Sequence, residues 1–336
     1  MNYRIFVGLD ISKSWFDAFF LRKETPRQGV HKRFENSSAG FGLFEDWLRG
    51  LAKEGLGDAL IMMEHTGVYT IPLCQFLAER AFNHTLVPGL AVRGSVSMRR
   101  GGSDKVDSER IAKYALKNRD EPVICTPPEK LIAELKRLIT FRDLLVKQKG
   151  GIEVSFKEHE DFNKLVDNQE IKSAAVAMEE AFEKQISLIE KSMKKLIDSD
   201  ESLRRNYKLI MSVIGIGEIT AAALLVYTNN FISFTNSRKF ATYCGVAPFG
   251  DDSGKDVGSK RVSHLANKRM KTLLSSCAQS AVQWDPELKL YFERQAAKGK
   301  NKWSVINVVK NKLLHRVFAV VRKGEMFSKR HTWHTI

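Results

Sequence analysis

The chain has 336 residues, 43% of them hydrophobic, which is enough for more than one packed core. Its 54 Lys and Arg against 39 Asp and Glu leave a net charge of +15 and point to a polyanionic partner, nucleic acid above all. Cys74, Cys125, Cys244 and Cys277 form no CxxC pair, which argues against zinc. They sit among apolar neighbours and read as buried thiols of a reducing cytosol. No run approaches the roughly 18 apolar residues of a membrane span, and Met1-Asn2-Tyr3-Arg4 enters a strand directly without the shape of a signal peptide.

From residue 4 to 125 strands and helices alternate. Strands are predicted at 4–10, 15–21 and 29–35. An amphipathic helix follows at 38–54, with Phe41, Phe44, Trp47 and Leu48 on one face. A strand at 59–64, a helix at 71–81 and a strand at 84–88 come next. A basic loop then carries Arg93, Arg99 and Arg100, before a helix from about 104 to 118. Three early strands and then β-α-β-α is the order of an RNase H-like fold, and actin-like sugar kinases open the same way. A kinase would need Gly-rich phosphate loops later in the chain, and Gly101-Gly102 is too weak a candidate.

Residues 129–205 change character. Leu131, Leu135, Leu138 and Leu145 recur at helical spacing. After a polar patch around 157–169 so do Ile171, Ala175, Met178, Phe182, Ile186, Ile189, Met193 and Leu196. Such a sustained narrow seam with charge between its positions predicts two long helices in an antiparallel hairpin, a protruding coiled coil, the alternative being two core helices of a compact domain. Residues 206–336 form a mostly helical third unit. The expected architecture is therefore α/β plus α, with units at 1–125, 126–205 and 206–336.

Chemistry concentrates in four carboxylates. Asp10 ends the apolar run Ile5 to Leu9, Glu64 ends the run Ala59 to Met63, and Asp104 and Asp107 sit three apart at the head of a helix. Strand ends and helix starts are where an α/β sheet presents ligands. Carboxylate oxygens suit hard cations such as magnesium or manganese, and a two-metal nuclease holds its ions roughly 3.5–4 Å apart across the scissile phosphate. Capping beside Ser103 is the structural alternative for Asp104 or Asp107. A second constellation is Ile214-Gly215-Ile216-Gly217 before a small-residue helix. It has the shape of a helix-hairpin-helix, in which Gly215 and Gly217 turn the chain and bring helix-start amides to a phosphate. A third is Gly245-Val246-Ala247-Pro248 followed by Asp251-Asp252-Ser253-Gly254. Ser253 reads as a turn residue or a nucleophile, with Lys260, Arg261, His264, Lys268, Arg269 and Lys271 behind it to grip phosphate. Near the C-terminus Trp303, Ile306, Val309, Leu313, Val317 and Val320 make an apolar stripe predicted to be core, with Lys302, Lys310, Lys312 and Arg316 on other faces.

Gly8-Leu9-Asp10, Glu64-His65-Thr66-Gly67-Val68-Tyr69, Ser103-Asp104-Lys105-Val106-Asp107, the Gly215 and Gly217 turn and the Gly245 to Gly254 stretch resemble, in order and spacing, the insertion sequence 110 transposases and their Piv-type invertase relatives. The resemblance runs from about residue 4 to 325. It implies a RuvC-like N-terminal domain with a magnesium-binding Asp-Glu-Asp-Asp site at Asp10, Glu64, Asp104 and Asp107, a coiled-coil insertion, and a C-terminal transposase domain in which Ser253 attacks DNA. It further implies donor and target DNA, a structured non-coding guide (bridge) RNA, a homodimer or homotetramer, and a bacterial, cytoplasmic, nucleoid-associated setting. The chain departs from the family pattern at Ile214, where proline is usual, and at Lys271, where arginine is common. The main alternative is a RuvC-like junction-resolving endonuclease that uses water and needs only the acidic site. A non-catalytic nucleic-acid-binding protein on a degenerate nuclease fold is a further one.

Overall fold

The computed structural model describes residues 3–52, 55–64, 67–94, 103–120, 122, 124, 130–162, 169–247, 252–253, 256–257 and 266–328. They divide into two compact units, residues 1–127 and 128–336.

The first unit is built on a five-stranded mixed sheet. Its strands are β1 (Ile5–Ile11), β2 (Trp15–Arg22), β3 (Gly29–Glu35), β4 (Ala59–Glu64) and β5 (His84–Val87), in the spatial order β3-β2-β1-β4-β5. The first three pair antiparallel, while β4 and β5 run parallel to β1. This topology is compatible with the RNase H-like expectation. The alternation of the strands divides the side chains between two cores. Ile5, Val7, Leu9 and Ile11 join Phe16, Phe20 and Phe34 against α1 (Ser38–Ala52) and α2 (Ile71–Glu79). Phe16 and Phe44 meet there edge to face at 5.3 Å. Fully burying one such ring contributes about 1.5–3 kcal/mol.

Phe6, Phe19, Leu21, Leu60 and Met62 point to the other face, where Ile111, Ala112 and Ala115 of α4 (Asp104–Lys117) cover them. The short α3 (Gly89–Gly94) precedes that helix and adds Val92 to the same core. Gly8 is what lets α4 seat so closely. A Cβ there would stand 2.1 Å from the Ser108 carbonyl oxygen and 2.2 Å from the Ala112 nitrogen, both backbone atoms.

The second unit opens with α5 (Lys130–Phe162) and α6 (Gln169–Asp198). They pack antiparallel: Arg142 pairs with Glu190 at 2.6 Å, and Lys149, two turns further on, pairs with Glu183 at 2.6 Å, two turns back. The seam is graded. Met193 and Ile197 at its root are buried with Ile132, Leu135 and Ile139, whereas Met178 is 48% and Ile171 56% exposed. The root shares one core with the helices that follow, so the second and third expected segments are joined by a common interior. Those helices are α7 (Glu201–Met211), α8 (Glu218–Thr228), α9 (Ser237–Tyr243), α10 (Lys268–Trp284), α11 (Pro286–Ala297) and α12 (Lys302–Lys323). Two-residue strands β6 (Asp252–Ser253) and β7 (Asp256–Val257) lie between α9 and α10. Among the described residues no helix is long and apolar enough to cross a membrane.

Two residues of α12 differ from expectation: one in the apolar stripe and one expected on another face. Trp303 is 70% exposed, because the first turn of α12 projects past the packed interior, while Lys310 is 7% exposed. The buried face of α12 also follows Ile306, Lys310, Leu314 and Phe318, the i, i+4 row next to the counted one, because α12 packs on α7, α9, α10 and α11 together.

Candidate active site

Strand register assembles the acidic site. Leu9 of β1 pairs with Met63 of β4, so Asp10 and Glu64, each one residue further, come level at the ends of adjacent parallel strands. Across the antiparallel side Asp10 lies opposite Asp17, and Asp17 opposite Arg33. All of these share the parity of Gly8, the face on which α4 lies. The Ser103 hydroxyl caps α4, accepting from Val106 N at 3.4 Å, so neither Asp104 nor Asp107 is needed as the cap. Both stand in the first turn, where the helix dipole favours negative charge.

Burial and like charge act together on Asp10. Burial, and then the charges of Asp107, Asp104, Glu64 and Asp17, push the Asp10 carboxyl up to about 6. Asp10 lies half-buried with no hydrogen-bond donor among the described residues. Its neighbours are engaged elsewhere. Arg33 donates Nη2 to Asp104 Oδ2 at 2.7 Å and Nε to Asp17 Oδ2 at 2.9 Å, and Asp17 also meets His31 Nε2 at 2.6 Å. Arg110 donates to Asp107 at 2.7 Å. The Glu64 carboxylate lies over Gly89, where a Cβ would fall 2.0 Å from Oε1. Among the described residues no group of three or more His, Cys, Asp or Glu side chains converges as a finished ion cage. The donor set nevertheless fits a hard divalent cation. Its groups are oxygen ligands, Asp10 is raised by burial and by the charges of the others, and arginines now pair with Asp104 and Asp107.

In the helical unit, Gly215 has φ +95°, the left-handed region, and a Cβ on it would meet Ala281 Cβ at 2.7 Å and the Cys277 carbonyl at 2.8 Å. It is a structural glycine on both counts. Gly217 is the N-cap of α8 with extended backbone, and the space beside it is open. The two glycines line a groove of about 360 Å³ with Thr220, Ser276 and Ser280. The backbone of Ser253 pairs with Asp256 in the β6–β7 ladder. Lys268 is exposed, but Arg269, expected on a nucleic acid, is bonded to Asp143 of α5 and ties α10 to the hairpin. Arg99, Arg100, Lys260, Arg261 and His264 lie outside the described residues. Cys244 is buried, its thiol pushed up to about 12, and Cys74 and Cys277 are buried as well, as the sequence predicts; Cys125 lies outside the described residues.

Two family models match the chain. One, a transposase model of the IS110 DEDD type, covers residues 7–159; the other, described as Transposase IS116/IS110/IS902 family, covers residues 207–293. The chain belongs to the insertion sequence 110 family of transposases. Among similar proteins, the transposase is 25% identical over 340 residues to the pilin gene-inverting protein of Moraxella bovis, covering 97% of this chain and 98% of that one. The equivalent protein of Moraxella lacunata matches to the same extent. An uncharacterized 43.6 kDa protein of insertion element IS110 from Streptomyces coelicolor is 28% identical over 122 residues, 36% of this chain and 30% of its own. The first matched segment of the transposase contains all four acidic residues, and the second contains Gly215, Gly217 and Ser253.

Sequence reasoning passes over Asp17, Arg33 and Gly89 in this transposase. Asp17 and Arg33 read as ordinary polar residues of alternating strands, and only the pairing register aligns them with Asp10. A Gly two residues after a strand carries no signal for Glu64; the close approach is a tertiary fact.

Proposed function

We propose that the protein is a DNA recombinase that moves an insertion sequence through a covalent link between Ser253 and a DNA 5′-phosphate. Asp10, Glu64, Asp104 and Asp107 would hold magnesium or manganese, and a structured non-coding bridge RNA would pair with donor and target DNA. What supports this reading is that Asp10 and Glu64 come level at the ends of adjacent parallel strands, with Asp10 raised by burial and by the charges of Asp107, Asp104 and Glu64. Membership of a transposase family and a full-length relative named for inverting a pilin gene support it. A bound divalent cation supplies Lewis-acid polarisation of the phosphate and stabilises charge on the leaving oxygen.

The chain's own part is nucleophile and binding. As the Ser253 Oγ–phosphorus bond forms, the bond from phosphorus to the 3′ oxygen breaks, and the serine proton ends on the released 3′-hydroxyl. The phosphodiester is conserved, so the reverse attack rejoins strands without ATP. The α5–α6 hairpin acts in this scheme as a coiled coil that brings subunits together, as a homodimer or homotetramer, and the Gly215–Gly217 turn as a helix-hairpin-helix contact to the DNA backbone. The setting is the bacterial cytoplasm and nucleoid.

A water-using resolvase is the second reading, favoured by the fact that the raised carboxyl and its partners all belong to the first unit. A nicked suicide substrate decides between them. The recombinase leaves DNA on the tryptic peptide containing Ser253, read by mass spectrometry, and the adduct is lost in Ser253→Ala. Cleavage by Ser253→Ala at the wild-type rate, with free 5′-phosphate ends, overturns the proposal.

A further inference from the structure

Asp17, opposite Asp10 in the strand register, is 1% exposed and has both carboxylate oxygens taken. His31 Nε2 meets Oδ1 at 2.6 Å, and Arg33 brings Nε to 2.9 Å and Nη2 to 2.8 Å of Oδ2. A buried carboxylate holds its cation firmly, because losing it would leave an uncompensated charge in the interior. Asp17 is therefore spent as a ligand and acts as an anchor. The guanidinium it holds also lies over the Trp15 ring, 5.2 Å from its centre. Anchor and ring together fix a long side chain that is 47% exposed and would otherwise sample many rotamers.

The fixed guanidinium reaches one step further. Its Nη2 donates to Asp104 Oδ2 at 2.7 Å, joining β3, the edge strand, to the first turn of α4. Asp107 is paired within its own helix, to Arg110 three residues on, whereas the arginine on Asp104 comes from another element. Stability is a poor account of this contact. An ion pair between side chains 47% and 54% exposed contributes about 0–1 kcal/mol, and Asp17 already satisfies the arginine. What the contact adds is orientation. It engages Oδ2 alone, and Oδ1 of Asp104 accepts from no donor among the described residues. A hard cation can take a carboxylate by one oxygen, and carboxylate ligands are commonly steered by a hydrogen bond to the other.

We propose that Arg33 is a positioning residue of the acidic site: from the Asp17 anchor it grips Oδ2 of Asp104 and so leaves Oδ1 set for a divalent cation. The inference rests on the reading of Asp10, Glu64, Asp104 and Asp107 as metal ligands. It adds to them a residue that acts through Asp104 and touches neither metal nor DNA.

The test is Arg33→Lys in the full chain, with Mn2+ binding followed by electron paramagnetic resonance without DNA, and melting followed in EDTA. Lysine keeps the positive charge beside Asp17, so the electrostatic cost of bringing in the ion is unchanged. Its single ammonium lacks the planar fork that spans two carboxylates. Mn2+ affinity should fall by about 10–100-fold. The Mn2+ concentration for half-maximal cleavage of the nicked substrate should rise with it, while the melting temperature in EDTA stays close to the wild type. Arg33→Gln repeats the measurement should the lysine variant fold poorly; losing a cation by itself tightens Mn2+, so weaker binding there still reports geometry. Unchanged Mn2+ affinity overturns the role and leaves Arg33 the structural partner of Asp17. Tighter binding by Arg33→Lys overturns it as well, since Arg33 then competes with the ion for Asp104. Asp10→Ala controls for the metal reading itself. If it binds Mn2+ as the wild type does, or if neither binds, that reading falls and takes the role with it. If Asp10→Ala loses the ion and Arg33→Lys does not, the positioning role falls alone.

Discussion

The carboxyl of Asp10 is held at about 6 by burial and by four like-charged neighbours, against an ordinary value of 3.8. The sign of the consequence follows from proton counts. Between about pH 4 and 6 the unfolded chain has lost this proton and the folded one keeps it, so stability falls as pH rises through that window and is flat above it. Asp10→Asn should therefore stabilise the metal-free protein at pH 7 by about 1–2 kcal/mol, after allowing for partial solvent screening. Its melting temperature should lose the decline seen in the wild type between pH 4 and 6. Recombination should be abolished, and full recombination by Asp10→Asn at normal magnesium would remove Asp10 from the site. Arg33, in the same row across the sheet, behaves oppositely. It is a partner of the 1% exposed Asp17, so Arg33→Ala leaves a buried carboxylate with His31 alone and should cost about 1–3 kcal/mol in chemical denaturation. The motif carboxylates were legible because they interrupt apolar runs or head a helix. Asp17 and Arg33 were not, because a register across strands is written in pairing rather than in spacing.

At the scale of elements, the Gly215 turn separates a structural residue from one with room for a ligand. Gly215→Ala forces a side chain onto the backbone of α10 at φ +95°, and should destabilise the helical unit by at least about 2 kcal/mol. Gly217→Ala adds a methyl into open space on extended backbone, so melting should barely change. If amides at the start of α8 meet DNA, that variant should still weaken binding in an anisotropy titration; unchanged affinity would leave the turn a plain helix connection. The hairpin offers a similar contrast. Met178→Glu with Phe182→Glu alters the exposed half of the seam and should lower the assembly state in sedimentation while the first unit keeps its melting temperature. Assembly unchanged by both charges would limit the hairpin to packing within its own chain. Periodicity placed strand and helix boundaries in the first unit within about two residues, since those elements are strongly patterned. It misplaced Trp303 and Lys310, because a helix packed on several neighbours buries more than one row.

At the scale of the molecule, a net charge of +15 implies counterion release on binding nucleic acid. Affinity for DNA should fall steeply between roughly 50 and 200 mM salt, and a flat response over that range would exclude a phosphate-dominated interface. The compact units divide at residue 127, where a mixed sheet gives way to long helices that draw on different residue patterns. That the hairpin root shares a core with the helices after it was not legible. Ile132, Leu135 and Ile139 could have faced only α6, and it is their common burial with Leu224 and Leu225 of α8 that joins them to the rest.

The graded seam of the hairpin separates anchorage from reach. With 33 residues α5 extends about 50 Å, and its burial is spent in the first few turns. Taking seven residues from the outer part of each helix would draw the tip back by about 10 Å without touching the shared interior. The hairpin is in this sense an adjustable gauge. Descendants of this chain can lengthen or shorten it, and so reset the spacing of whatever its tip engages, while the fold beneath is inherited unchanged.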